Sequence, residues 1–544
     1  KVKLDRLSGL RFHTDTINFT SSEPHKCGGK AEVVKATFKR GEGSAEQQVA
    51  VKRLRYYDDI DEQKFGNEFV HEVDVMARLS HKNIAKLIGF VEDLKEGKAW
   101  IVMSWESNGN VSEFLATGEW EIPERIALIK DTFSGLKYLH TRQPPICHGD
   151  LKSLNILVSA SYRAVITDFG SARILRETEN RKEDREKVLD VTGASAIAPA
   201  TDERVDRTQI TIVASQNQLT LTGPAWSLRW AAPEVALGEP QNLASDIWAA
   251  GWVCWEVMTS KVPFPELNLA GAIALKVVEG QVPVAHEDTQ LSQIISLCSL
   301  MTDCWAFDPQ NRPNITRCQT EVKWMPSIRP LTGKTQYSQT PSAEVFFQMG
   351  RIHHSQGNFK EAISVFQQAL SAATSVGGLE MSGRALCGLG AAYHATADHA
   401  KAEQYLTQAQ DICAKIGNGA GQADALHWLA KVYYAQSKLT QAEESYTRAR
   451  NIFSRIGHDQ GQANTLHGLG TVFSKRSQYP EAEEFYNQAR DIYARIGDHG
   501  GRANTLQRLG SLCYERSDYT KAEELFNQAL HLYSRIGDNV GRAT

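Results

Sequence analysis

Small residues recur every 40 positions in the C-terminal part of the chain, at Gly350, Gly390, Ala430, Gly470 and Gly510. A second set follows at Ala362, Ala402, Ala442, Ala482 and Ala522, and a third at Ala369, Ala409, Ala449, Ala489 and Ala529. Large side chains keep the same phase at Phe366, Leu406, Tyr446, Tyr486 and Phe526. A period of this length means that one supersecondary unit has been copied along the chain. Small residues mark where two helices approach closely, and large ones plug the gaps between them. One pair alone buries too little apolar surface, so stability has to come from stacking neighbours. Five copies exceed the roughly three that such stacks need. The phrase Arg-Ile-Gly-Asp starts again at Arg535, so a sixth copy is expected to begin there. Residues 343–544 therefore read as an all-α solenoid. Pro326, Pro330, Gly333 and Pro341 punctuate the polar stretch before it, which reads as a linker over 326–342.

Nothing before the linker shows that period. At 544 residues the chain exceeds what one core can organise, and about two to four domains are expected. A net charge of −4 argues against a nucleic-acid partner, which would call for a basic excess. No apolar run reaches the roughly 18 residues of a membrane span, and nothing at the start reads as a signal peptide. The nine cysteines are scattered and never spaced C-x-x-C, so neither a zinc site nor a disulfide framework is expected. Reduced thiols fit a cytoplasmic protein, or a nuclear one.

Chemistry-bearing residues gather in His148-Gly149-Asp150-Leu151-Lys152-Ser153-Leu154-Asn155-Ile156-Leu157. Such spacing lets one loop present a carboxylate, an ammonium and an amide toward one point. Downstream, the strand-like Ala164-Val165-Ile166 leads into Thr167-Asp168-Phe169-Gly170. Upstream, the β-branched runs Val33–Phe38 and Gln48–Leu54 flank Gly41-Glu42-Gly43-Ser44 and predict a hairpin. Its second strand carries Val49-Ala50-Val51-Lys52. Between Phe65 and Leu79 the apolar residues Phe65, Phe69, Val73 and Met76 share one helical face, with Glu72 on the same helix. Ile126–Leu139 reads as an amphipathic helix, and Ile84–Val91 and Ala99–Trp105 as further apolar runs.

From about residue 10 to residue 325 these motifs, in this order, resemble a eukaryotic protein kinase. H-x-D-L-K-x-x-N, D-F-G and the A-P-E of Ala232-Pro233-Glu234 are present, with Asp246 and Arg312 where the family keeps structural partners. The Trp-rich closing motifs and His148-Gly149-Asp150 are similar to the tyrosine-kinase-like serine/threonine kinases of filamentous fungi. The resemblance implies a bilobal α+β fold, with a small lobe over about 10–105 and a large lobe over 106–325. It further implies ATP and Mg²⁺ as cofactors. Asp150 would orient the acceptor hydroxyl and Lys152 would neutralise the moving phosphoryl group, while Asn155 and Asp168 would hold metal. Lys52, paired with Glu72, would meet the phosphates. Gly28, Gly29, Ala31 and Val33 would cover the nucleotide, and Met103 (as gatekeeper), Ser104 and Trp105 would form the hinge. Lys152 and Ser227 favour Ser/Thr acceptors over Tyr.

Three departures stand out. The glycine-rich template falls on Lys26, Gly28 and Ala31, so two of its three glycines are missing. A left-handed non-glycine residue costs about 1–2 kcal/mol, so nucleotide affinity should fall by about 5- to 30-fold, not vanish. Gly149 replaces the Arg that many kinases use to hold an activation-loop phosphate. Finally, an insertion over about 176–222 contains the charged run Arg176–Lys187 and a hairpin-like Gln209–Thr222. It reads as a tolerated surface loop or as a gate over the substrate site.

The repeats resemble tetratricopeptide repeats in the extended form seen in kinesin light chains and spindle-orientation adaptors. The resemblance implies a peptide groove on the first helices. Asp424, Asn464 and Asn504 occupy equivalent places there, as clamps on a peptide backbone or as local helix caps. The expected function is ATP-dependent serine/threonine phosphotransfer to protein substrates, with the repeats recruiting a peptide or protein ligand. A pseudokinase scaffold is the alternative, and repeats that dock back as an autoinhibitor fit either.

Overall fold

The computed structural model describes residues 2–19, 26–27, 31–39, 46–54, 62–93, 98–175, 211–215, 218–222, 227–288, 290–329 and 342–535. Gly28, Gly29, the charged run 176–187 and the repeat restart beyond Arg535 lie outside them.

Six antiparallel strands form the small lobe. Five run in the order Ile17–Phe19, Ala31–Phe38, Gln47–Leu54, Lys98–Ser104 and Leu87–Asp93, and Lys26–Cys27 pairs off Ala31–Phe38. Alternation explains the first long strand: Val34, Ala36 and Phe38 are buried while the residues between them are half-exposed. Helix Glu62–Met76 covers the sheet with the predicted face, and Phe65, Phe69, Val73 and Met76 are all buried. Phe69 meets Phe90 of the sheet edge-on, with centroids 6.1 Å apart.

The large lobe is built on Ile122–His140 and Leu243–Thr259. The first helix is longer than expected, and within the predicted span its half-exposed residues, Lys130, Ser134, Lys137 and Tyr138, share one face, as the amphipathic reading requires. Arg125 lies just before the predicted span, inside the helix. Its guanidinium is buried because Val257 O (2.6 Å), Trp120 O (2.8 Å) and Ser260 Oγ (3.0 Å) all accept from it. Asn242 caps the second helix in a reciprocal capping box with Ser245. Gly251 is required within it, because a Cβ there would lie 2.7 Å from Trp305 Nε1. The expected hairpin in the insertion is present, with Thr211–Ser215 antiparallel to Gln218–Thr222.

From Ala343 to Arg535 the described chain forms ten helices in five pairs. Ala362, Ala402, Ala442 and Ala482 are wholly buried, with Phe366, Leu406, Tyr446 and Tyr486 beside them. A Cβ on Gly470 would stand 2.7 Å from the Tyr486 ring, which explains the small residue there. Phe526 is 37% exposed, because no described pair stacks on the last one. In four pairs the first helix runs into a left-handed residue that is not glycine: Ala397, Ser437, Ser477 and Ser517, with φ of 60, 59, 61 and 62°. The first pair has Gly357 (φ 78°) at that place.

Residues 326–329, read as linker from the prolines, are strapped to the large lobe instead. Ile328 N–H donates to Pro123 O (3.1 Å), and Arg329 pairs with Asp131 at 3.0 Å. Lys130 adds bonds to Lys323 O (2.9 Å) and Met325 O (2.7 Å). Ile352, on the first repeat helix, is buried in the large-lobe core. Among the described residues no helix is long and apolar enough to cross a membrane.

Candidate active site

Strand Gln47–Leu54 and helix Glu62–Met76 bring two groups together from opposite sides. Lys52 Nζ donates to both Glu72 oxygens, at 2.7 and 2.9 Å, and to Asp168 Oδ1 at 2.8 Å. Burial alone would pull the Lys52 ammonium down, but Asp168 and Glu72 outweigh it and hold its pKa above the ordinary lysine value. Asp168 stands at φ 67°, a left-handed turn that swings its carboxylate to Lys52. Enclosure would raise that carboxyl; Lys52 wins and keeps it below the usual range. Phe169 is buried, with its ring 5.2 Å from His148. The segment is thereby locked to the catalytic loop.

That loop is braced by the buried Asp246, which accepts from His148 N–H (2.7 Å), Gly149 N–H (2.9 Å) and the His140 ring (2.9 Å). Asp150 Oδ2 accepts from Lys152 Nζ at 2.7 Å and from Asn155 Nδ2 at 2.9 Å. Asn155 Nδ2 also donates to Asp150 O (2.8 Å), which leaves its amide oxygen as an acceptor. Lys152 is buried, reaches Ser227 Oγ at 3.2 Å, and is pulled below the ordinary lysine value by burial, with Asp150 opposing. The Glu234–Arg312 pair closes bidentately, at 2.6 and 2.8 Å.

On the cleft's other wall, Ala31 opens its strand and Val33 lies opposite Lys52. Met103 is buried, with its sulfur 3.9 Å from Thr167 Oγ1. Ser104 Oγ donates to Glu106 (2.9 Å), and Lys35 Nζ lies 5.1 Å from the centre of the Trp105 ring.

One group here escaped the sequence reading. Glu256, buried on helix Leu243–Thr259, accepts from Ser153 N–H (3.0 Å), Ser153 Oγ (2.7 Å) and Trp230 Nε1 (2.9 Å). It ties the catalytic loop to the turn before Pro233-Glu234. Burial pushes its carboxyl up to about 7 despite those donors. No local pattern marks it, because its partners lie far away in sequence.

In the repeats the capping alternative fails. Asn464 and Asn504 lie well inside helices Asp459–Lys475 and His499–Glu515, which His458 and Asp498 cap; Asp424 likewise sits inside a helix capped by Asn418. Instead, Asn464 Oδ1 accepts from Tyr493 OH (2.6 Å), and Asn504 Oδ1 from Tyr533 OH (2.6 Å). The signal was available, since both pairs have the same 29-residue separation. Asp424 has Phe453 at the equivalent place. Desolvation raises its carboxyl, opposed by His458, Arg351 and Arg384.

The family described as "protein tyrosine and serine/threonine kinase" matches residues 23–194 and 209–322. The tetratricopeptide repeat family matches 341–415, 421–495 and 476–535. Serine/threonine-protein kinase CTR1 of Arabidopsis thaliana is 29% identical over 290 residues, covering 52% of this chain and 28% of that protein. The probable serine/threonine-protein kinase drkC of Dictyostelium discoideum is 27% identical over 273 residues, covering 49% and 30%. The chain thus spans less than a third of the length of these relatives. Since the kinase family covers more than half of it, the chain belongs to the protein tyrosine and serine/threonine kinases, and it carries C-terminal tetratricopeptide repeats.

Proposed function

We propose that the chain is an ATP- and Mg²⁺-dependent serine/threonine protein kinase whose repeats recruit a protein partner or substrate. The observation that carries this is the closed set of charges around one cleft: Lys52 between Glu72 and Asp168, and Asp150 between Lys152 and Asn155. The donor set suits the cofactors. The Asp168 carboxylate and the Asn155 amide oxygen are hard oxygen ligands of the kind Mg²⁺ prefers, and Lys52 supplies a fixed cation for phosphates. When bound, Mg²⁺ neutralises charge that develops on the phosphates.

The chain's own groups divide the remaining work. Asp150 orients the acceptor hydroxyl and receives its proton. Lys152 offsets charge on the transferred group, and its bond to Ser227 ties it to the turn where an acceptor would lie. Glu72 keeps Lys52 in place. The assembled groups favour an enzyme over a pseudokinase scaffold. In the repeats, Tyr493 and Tyr533 orient the amides of Asn464 and Asn504 as clamps on a partner's backbone.

Phosphate transfer from labelled ATP to a generic protein substrate, and to the chain itself, tests the reading. Asp168→Asn should lower the rate by at least about 10²- to 10³-fold while the protein stays folded, since Glu72 still pairs Lys52. Wild-type protein that transfers nothing and gains no thermal stability from Mg²⁺-ATP would leave the scaffold as the function.

A further inference from the structure

We infer that Gln241 is a positioning residue for the catalytic loop, joining Arg173 to the Gly149 carbonyl so that Asp150 is set without a phosphorylated activation segment. The inference rests on the phosphotransfer reading above. Gly149 has no side chain with which to reach a phosphate, and its backbone stands at φ 77°, in the left-handed region. A Cβ there would lie 2.6 Å from Ser171 O and would also collide with the Gln241 side chain. The place where a longer residue would begin is therefore occupied by Gln241.

The stretch just before and within the start of helix Leu243–Thr259 holds three consecutive residues. Cys147 Sγ–H donates to Asn242 O (3.1 Å), and Asp246 accepts from His148 and Gly149 N–H. Gln241 Nε2 donates to Gly149 O at 2.5 Å. This last bond differs in kind, because that carbonyl belongs to the peptide plane from which the Asp150 Cα departs. With the N–H of residue 149 held by Asp246 and its C=O by Gln241, the approach to the catalytic carboxylate is fixed from both sides.

The other end of Gln241 reaches the activation segment. Arg173 donates to Gln241 O at 3.1 Å and lies in the short strand Arg173–Ile174, which pairs with Ile146–Cys147. Arg173, Gln241 and Gly149 thus link the first strand of that segment to the catalytic loop through neutral acceptors. No titratable anion is needed. Displacement of a reacting group by 1 Å can cost about 10²-fold in rate. Loss of a single neutral hydrogen bond should cost less, about five- to tenfold.

The test uses the full chain after phosphatase treatment, as wild type, Gln241→Ala and Gln241→Lys. Wild-type protein should keep its rate within about twofold on dephosphorylation. Gln241→Ala should lower kcat by about five- to tenfold at unchanged KM for ATP and unchanged melting temperature. Gln241→Lys, which restores a donor, should recover most of the loss. Hydrogen exchange of the peptide spanning 147–152 should quicken in Gln241→Ala alone. Equal kcat and equal exchange in all three proteins would overturn the inference, as would a wild type silenced by dephosphorylation. If wild type transfers no phosphate at all, the kinase reading fails. The exchange data then decide on Gln241 separately, and equal exchange overturns it.

Discussion

The two halves of this chain are stabilised by opposite strategies. Around the cleft, order depends on a few buried polar contacts between groups far apart in sequence, such as Glu234–Arg312 and the brace from Asp246 to His148 and Gly149. In the solenoid, order comes from one apolar cluster repeated between neighbours: Ala362 and Phe366 of the first pair pack with Leu389 and Ala392 of the second, and Ala482 and Tyr486 of the fourth with Leu509 and Leu512 of the fifth. Removing one partner of a buried charge pair leaves the other stranded, so damage in the lobes is large and spreads. In the solenoid each contact belongs to a copy and its neighbours, so damage stays local.

Arg312→Ala should break this contrast most sharply. It strands Glu234 in the core and should cost about 3–5 kcal/mol, seen in denaturant melts as early loss of the lobes while repeat helicity persists. Cooperative loss of both halves would show that Ile352 fuses them into one folding unit. Next in size is a pH effect at Glu256. Its pKa in the folded state is raised, to about 7, so the folded protein keeps a proton that the unfolded chain gives up. Stability from this group is complete at low pH and is lost as pH rises toward 7. The difference in unfolding free energy between Glu256→Gln and wild type, from denaturant melts, should therefore move in the variant's favour between pH 5 and pH 8, by an amount on the order of 3 kcal/mol. A pH-independent difference would mean that the three donors, not burial, set the charge. Smallest is Ala442→Leu, which overfills one wholly buried helix contact at about 1–3 kcal/mol. It should loosen the third pair and its neighbours, read by hydrogen exchange, with phosphotransfer unchanged.

The same contrast decided what the sequence could reveal. The solenoid was legible because its contacts repeat: a single rule placed all ten helices, and the common Tyr–Asn separation was there to be read. In the small lobe, alternation and helical period located the hairpin, the helix of Glu72 and its buried face. The catalytic groups were legible only as ordered motifs, and the chain folds them into one cleft. Hidden were contacts with no local signature. Gln241 meets Gly149 across 92 residues, and Glu256 meets Ser153 across 103. The central helix was read from Ile126 onward, and nothing local marked Arg125 as its buried start, because its compensation lies in a carbonyl 132 residues away. Prolines suggested a free linker at 326–329 where backbone and side-chain bonds in fact hold the chain down.

The left-handed Ala397, Ser437, Ser477 and Ser517 carry a consequence of their own. Each holds the solenoid slightly below the stability its packing could reach, since a side chain at that backbone angle is strained and glycine is not. The strain sits at the same joint in four successive copies, so it acts in series and can be relieved one copy at a time. Gly357 shows the relaxed version already in place at the end nearest the lobes. The stack therefore has one unstrained joint where it meets the lobes and four strained ones beyond it.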